Sequence, residues 1–292
     1  MRYIIGIDEN GFGPLMGPLV VTGILGKLKG DFKWFKGVED SKRFFSRDIS
    51  SFKKIEEFSL SLFLSIYGYL PSNPYEFIRK ISKPIFKCSV SEKICWKNLP
   101  SHFIWADMEE VEKKAEEFKR WMADENVFIE SIFSRIFCVY EINNLIDKGY
   151  KKGFIDFIGF YDIIEMAKKK EIEVFAGKIG GMKRYFSFLK YKFPQHSIKI
   201  IEEGEEISKY ILKNEKSFIK ISFVEDIEDK LFFAAISSII GKYIRELMME
   251  SIRRSFGIKD RISGYRDRKT VRFLEIIRNK ENYFEMCVFR KK

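Results

Sequence analysis

Two apolar runs of strand length open the chain, residues 3 to 9 (YIIGIDE) and 18 to 27 (PLVVTGILGK), separated by a glycine and proline loop short enough for antiparallel pairing. A helical period of apolar positions runs from about 48 to 67, whereas 70 to 105 has several prolines and no sustained period and reads as irregular. Residues 107 to 122 (DMEEVEKKAEEFKRWM) predict a charged, solvated helix with acid and base pairs four apart. Further helices are predicted over roughly 128–148 and 156–170, then a strand (IEVFAGK, 172–178), a glycine turn, a helix over 182–191 and a strand at 197–203. After a lysine-containing loop come the strand FIKISFV (218–224), one long helix from 225 to 256, and a last helix over 270–280. A hairpin followed by alternating helices and strands predicts a mixed sheet flanked by helices, in the α/β class, with 68–125 as a helical or irregular insertion.

Composition narrows the possibilities. At 292 residues and 46% hydrophobic content the chain can bury a core without staples, and a single domain over 1–292 is expected. The longest apolar runs are far shorter than a membrane span, and Met1 leads at once into a strand-like segment, so a cytoplasmic, monomeric protein with no membrane association is expected. Four scattered cysteines (Cys88, Cys95, Cys138, Cys287) and two histidines (His102, His196) favour reduced thiols over zinc or disulfides. Scarce histidine also leaves carboxylates as the available catalytic groups. The formal charge of +11 favours an anionic partner, of which nucleic acid is the commonest large one.

The loop GFGPLMG is not a dinucleotide fingerprint, because its third glycine is one position late and a strand follows it instead of a helix. Its glycines could admit close backbone approach by a ligand. Asp8 and Glu9 end an otherwise apolar strand, and strand alternation points them to opposite faces, so either a polar strand edge or a metal site completed by other segments fits them. Magnesium needs only one or two carboxylates, with water and substrate phosphate completing its shell. The candidate partners are Glu225, Asp226, Glu228 and Asp229, which also suit the first turn of a helix on dipole grounds alone.

The segment GIDENGFGPLMGPLVV resembles the opening of the type 2 ribonuclease H family, ribonucleases HII and HIII, in which a strand ends in Asp-Glu before a G-x-G-P loop, G-P and an apolar strand. EDSK, with Asp40, Ser41 and Lys42, is similar to the family's D-S-K motif, and EDKLFFAAISSIIGK is similar to its acid, lysine and A-A-x-S-I-x-x-K helix. Counting from Ser238 puts Glu228 at the acid, with Lys230 and Lys242 at the lysines. SGYRDRKTVRFL resembles the S-G-Y segment, whose tyrosine, Tyr265 here, touches the junction nucleotide. The resemblance covers the two ends of the chain and not 68–125.

What the resemblance implies is a ribonuclease H-like fold and a Mg2+- or Mn2+-dependent endoribonuclease that cleaves the RNA strand of an RNA/DNA hybrid. Asp8, Glu9 and Glu228 would hold metal, with Asp229 the runner-up. Asn10, Gly11, Phe12, Gly13, Ser41, Lys42, Lys178, Lys230 and Tyr265 would contact substrate. Two positions depart from the family: Phe12 stands where it has arginine or threonine, and Gly177 where its third acid ends a strand. Asp156, Asp162, Asp226 or Asp229 could supply that acid, and GKIGGMKRY, with Lys178, Lys183 and Arg184, could bind a phosphate through its amides and bases. The alternative function is a nucleic-acid-binding protein of the same fold with weak or no hydrolysis.

Overall fold

A computed structural model of the protein describes residues 2–36, 38, 49–83, 94–278 and 288–291. In chain order its elements are β1 (Arg2–Asn10), β2 (Leu19–Leu28), α1 (Ile49–Tyr67), α2 (Pro74–Ile81), α3 (Ile94–Lys97), α4 (Met108–Asp124), β3 (Val127–Phe137), α5 (Val139–Asp147), α6 (Lys152–Ala167), β4 (Glu171–Gly177), α7 (Phe186–Lys192), β5 (Ser197–Glu203), β6 (Ile207–Lys213), β7 (Phe218–Val224), α8 (Phe232–Ser255) and α9 (Arg268–Arg278). The strands form one seven-stranded mixed sheet in the order β3-β2-β1-β4-β7-β6-β5. β1 runs antiparallel to β2 and parallel to β4, and β4 runs parallel to β7. The α/β class with a mixed sheet flanked by helices is therefore as the sequence predicts. No described helix is long and apolar enough to cross a membrane.

Alternation along β1 divides the core. Ile4 faces α8, α1, α2 and α4, while Ile5 and Ile7 face α6 and α7. α8 lies almost on the β1 backbone: a Cβ on Gly6 would stand 2.4 Å from the Ala234 nitrogen, and the Ser237 hydroxyl donates to the Gly6 carbonyl at 2.8 Å. The small residues of β1 and the start of α8 thus set the depth at which the helix seats.

Three elements differ from the sequence expectation. The predicted helix over 128–148 is instead β3 followed by α5. A register shift opposite Leu25 and Gly26 inserts Glu130, so that Ile129 and Ile132 fall on the same buried face, and this three-residue step imitates a helical period. The lysine-containing segment after β5 is a strand, β6, whose Ser208, Tyr210 and Leu212 alternate inward while Lys209 and Lys213 do not. The long helix begins at Phe232, not 225; a 3-10 turn, Ile227–Asp229, precedes it, entered through Asp226 in the left-handed region at φ 49°.

Within 68–125 the chain is more regular than its sequence suggests. Asn73 accepts from the Glu76 amide and Pro74 starts α2, whose two turns are too short to register as a period. α4 packs on α1, with Phe118 edge-on to Phe58 at 5.2 Å and stacked on Phe35 at 3.9 Å. Cys95 and Cys138 are buried; Cys88 and Cys287 lie outside the described residues.

Candidate active site

The parallel strands β1 and β4 end side by side, the position at which α/β sheets open their clefts. Asp8 continues the α8-facing side of β1 and Glu9 the α6-facing side, so the alternation read from sequence holds. The carboxylates meet all the same. Ile7 pairs with Ala176, which brings Gly177 beside Asp8, and a Cβ on Gly177 would lie 3.3 Å from Asp8 Oδ1 and 3.5 Å from Glu9 Oε2. The missing side chain at the end of β4 leaves room for two acids from opposite faces to straddle the edge of the sheet.

Glu228 reaches the same cleft from the 3-10 turn ahead of α8. The cleft has a volume of about 400 Å³ and is lined by Asp8, Glu9, Gly177, Glu228, Ser238 and Lys242, among others. Burial, and next the negative charge of Glu228, push Asp8 up to about 7, opposed by a Ser238 hydrogen bond and by Lys242. Burial, then Asp156 and Asp8, hold Glu9 well above the usual carboxylate range.

Asp156 was one of four candidates for the acid missing at Gly177, and the structure separates them. It is fully buried on α6, both of its carboxylate oxygens lack a hydrogen-bond partner among the described residues, and burial followed by the charge of Asp8 raises it well above its ordinary value. Asp162, two turns further on, is bound elsewhere: Arg135 Nε donates to it at 3.0 Å and Lys83 Nζ at 2.7 Å, and Arg135 also pairs with Glu141. Asp226 lines the cleft, whereas Asp229 is exposed and is not part of its lining.

Carboxylates gathered in one cleft suit a hard divalent ion. Among the described residues no group of three or more acid, histidine or cysteine side chains stands close enough to cage one. An ion here would be held by a pair of carboxylates, with water and a substrate phosphate completing its shell, which is ordinary for magnesium.

A larger cavity of about 680 Å³ adjoins the cleft and shares Asn10 and Lys242 with it. Its wall carries Arg245, Arg261, Arg268, Lys269 and Tyr265. Tyr265 is exposed, and the Arg245 guanidinium lies 5.3 Å from its ring centre. The glycine loop forms the border of this cavity. Gly11, at φ 97°, passes beneath Arg245, and a Cβ there would be 2.7 Å from the Pro18 carbonyl and 2.9 Å from Arg245 Nε. The Leu15 amide donates to the Gly264 carbonyl at 2.8 Å, and buried Arg290 donates to the Gly17 carbonyl at 2.7 Å and to the Gly11 carbonyl. Arg290 is a part of the site that sequence reading missed.

The other expected contacts fall in varied places. Asn10 donates to the Ser238 carbonyl at 3.3 Å and Gly13 is exposed, while Phe12 is half-buried against Gly180 and the α6-side core. Lys178 lines the cleft but donates to the Gly204 carbonyl, and burial lowers its pKa. Lys183 pairs with Glu205, and Arg184 is 4.0 Å from Glu203, so these bases face the β5–β6 hairpin. Lys230 donates to the Glu225 carbonyl at 2.7 Å and lies outside the cleft lining. Ser41 and Lys42 are outside the described residues.

No protein-family model and no curated protein sequence matches the chain. In three dimensions it is similar to ribonuclease HII in the PCNA complex from Archaeoglobus fulgidus, at 16% identity over 99% of this chain and 96% of that one, with a TM-score of 0.46. It is similar also to ribonuclease H2 from Pyrococcus horikoshii OT3 (15% identity, 98% and 92% covered, TM-score 0.47) and to Bst-RNase HIII in complex with Mn2+ (13% identity, 99% and 66% covered, TM-score 0.47). Identities and scores of this size carry no activity over to the chain, and the chemistry of the cleft follows from its own side chains.

Proposed function

We propose that the cleft is the active site of a divalent-metal-dependent endoribonuclease of the ribonuclease H type, acting on the RNA strand of an RNA/DNA hybrid. The observation that carries this reading is the meeting of Asp8 and Glu9 over Gly177, with Glu228 facing them, beside a cavity walled with arginine and lysine. Of the three acids Asp8, Glu9 and Glu228, the pair Asp8 and Glu9 would hold Mg2+ or Mn2+ directly, with Glu228 facing the ion's remaining shell from the same cleft. A bound ion of this kind activates a water and stabilises the leaving oxygen in phosphodiester hydrolysis.

The rest of the task belongs to the chain itself. The Gly11 to Gly13 stretch offers backbone to a minor groove, where 2′-hydroxyls distinguish RNA from DNA. Tyr265 and the bases of the larger cavity suit the sugar and phosphates of a strand leaving the cleft. Lys242, shared by both cavities, is placed to meet a phosphate at their junction. Phe12 packs against Gly180 and so presents an apolar surface where the resembling family has a polar side chain, which favours general hybrids over strict junction selection.

Gly177 supports a second reading, in which the protein binds hybrids but hydrolyses them weakly. Cleavage of a uniform RNA/DNA hybrid and of a duplex carrying one ribonucleotide, each with Mg2+ and with Mn2+, separates the two. Cleavage lost in Asp8→Asn supports the nuclease; salt-sensitive binding with no product under either ion refutes it and leaves the binding protein.

A further inference from the structure

Removing a side chain from the end of β4 lowers the negative charge of the cleft by one carboxylate relative to an acid at that place, and another acid lies close below. Gly153 sits in the first turn of α6, where a Cβ would be 3.0 Å from the Met182 methyl and 3.8 Å from Ile179, so that turn lies under the loop that follows Gly177. Asp156 is three residues further on, one turn along the same face of the helix. Its neighbours Phe157 and Phe160 pack with Ile5 and Ile7 on the α6-facing side of the sheet, the side to which Glu9 belongs. Asp162 of the same helix has Arg135 and Lys83 as partners, whereas neither oxygen of Asp156 has a hydrogen-bond partner among the described residues. An unpaired carboxylate inside an apolar layer costs several kcal/mol unless something offsets it. The buried cation with which Asp156 interacts electrostatically, Arg290, makes no hydrogen bond to it: its Nε and Nη1 donate to the carbonyls of Gly17 and Gly11, and its Nη2 has no hydrogen-bond partner among the described residues.

On the reading of the cleft as a metal site, we propose that Asp156 is a positioning residue whose carboxylate, ionised when a divalent cation occupies the cleft, supplies from beneath the sheet the negative charge absent at Gly177 and so raises the affinity for that cation through Glu9 and Asp8. It lies outside the lining of the cleft, so it acts as an outer carboxylate behind the groups that would touch the ion. The layout differs from a strand-end acid in one respect: the charge comes from a helix packed against the sheet, and the end of β4 stays open for the two β1 carboxylates.

The test is Mn2+ binding to the intact protein, measured by calorimetry and by the electron paramagnetic resonance of free Mn2+, without substrate. Loss of outer-shell partners typically weakens metal binding about 10- to 100-fold, and that loss is expected for Asp156→Asn. Adding Gly177→Asp to that variant is expected to restore binding, because the nearest neighbours of a Cβ there are side-chain atoms of Asp8, Glu9 and Ile227, none closer than 3.3 Å. Should Asp156→Asn fail to fold, Asp156→Ser, whose hydroxyl can bond back to a helix carbonyl, takes its place with the same expected loss. Mn2+ affinity unchanged in the Asp156 variant while Asp8→Asn loses it overturns the role of Asp156 and leaves the metal site standing. A loss that Gly177→Asp does not restore also overturns it. Equal Mn2+ binding by the wild type and Asp8→Asn overturns the metal-site reading itself.

Discussion

Asp8→Asn should stabilise the metal-free protein at alkaline pH while removing its function. In the folded chain Asp8 titrates at about 7, against 3.8 as its ordinary value. Its folded pKa is raised, so the unfolded chain releases this proton first, and stability falls as pH rises from about 4 to about 7. A difference of about 3 units at ~1.4 kcal/mol each amounts to roughly 4 kcal/mol of destabilisation fully present above pH 7. That is a large part of the 5–15 kcal/mol typical of a folded domain. Asparagine carries no charge to desolvate and can keep the contact with Ser238. Urea unfolding in chelator at pH 5 and pH 8 measures the effect. The wild type should lose midpoint over that interval, and Asp8→Asn should lose distinctly less and be the more stable protein at pH 8. Parallel pH profiles for the two proteins would refute the reasoning, since they would mean that Asp8 is already ionised at pH 5 in the folded chain. Saturating Mn2+ should raise the wild-type midpoint at pH 8 by mass action and leave that of Asp8→Asn unchanged.

Three further outcomes are expected. Gly6→Ala places a methyl 2.4 Å from the Ala234 nitrogen and 2.5 Å from the Phe233 carbonyl carbon, backbone atoms that cannot turn aside, so it should cost about 1–3 kcal/mol or more in urea unfolding. Arg135→Ala leaves buried Glu141 without its cation and Asp162 with Lys83 alone, and should cost about 3–5 kcal/mol in the same assay, with Mn2+ affinity unchanged, because this cluster is separate from the cleft. Hybrid binding, followed by fluorescence anisotropy between 50 and 200 mM salt (about the range over which phosphate contacts are read out), should weaken steeply, and Arg268→Ala should lower the log–log slope by about 1.

The sheet's beginning and the site's two ends were legible because they are written locally: an apolar strand ending in two acids, a glycine loop, and an acid ahead of an alanine and serine helix. What stayed illegible depends on neighbours. β3 read as a helix because one inserted residue, Glu130, turned a period of two into a step of three, and only its partner β2 reveals the bulge. β6 read as a loop because its lysines sit on the open side of a strand that gains its regularity from β5 and β7. Glu228 was found, yet on the wrong support, since an apolar helix running on from Phe232 hides the left-handed break at Asp226. Asp156 and Asp162 of α6 were both candidates for the third acid, but sequence could not say that Arg135 would take Asp162 and leave Asp156.

The glycine loop has a consequence for the order in which the protein assembles. Its Leu15 amide finds its partner at Gly264, and the carbonyls of Gly17 and Gly11 find theirs at Arg290, 273 and 279 positions along the chain. Contacts of such long sequence separation have the largest closure entropy to overcome and form late, whereas the β1–β2 hairpin carrying the two acids can form early. A partly folded chain would then hold Asp8 and Glu9 on a strand but lack the loop that borders the larger cavity. In refolding experiments substrate binding should therefore recover with the slowest phase, after sheet structure is complete by circular dichroism; binding that returns with the first phase would contradict this order. The cleft would be competent only in molecules whose distant segments have already met.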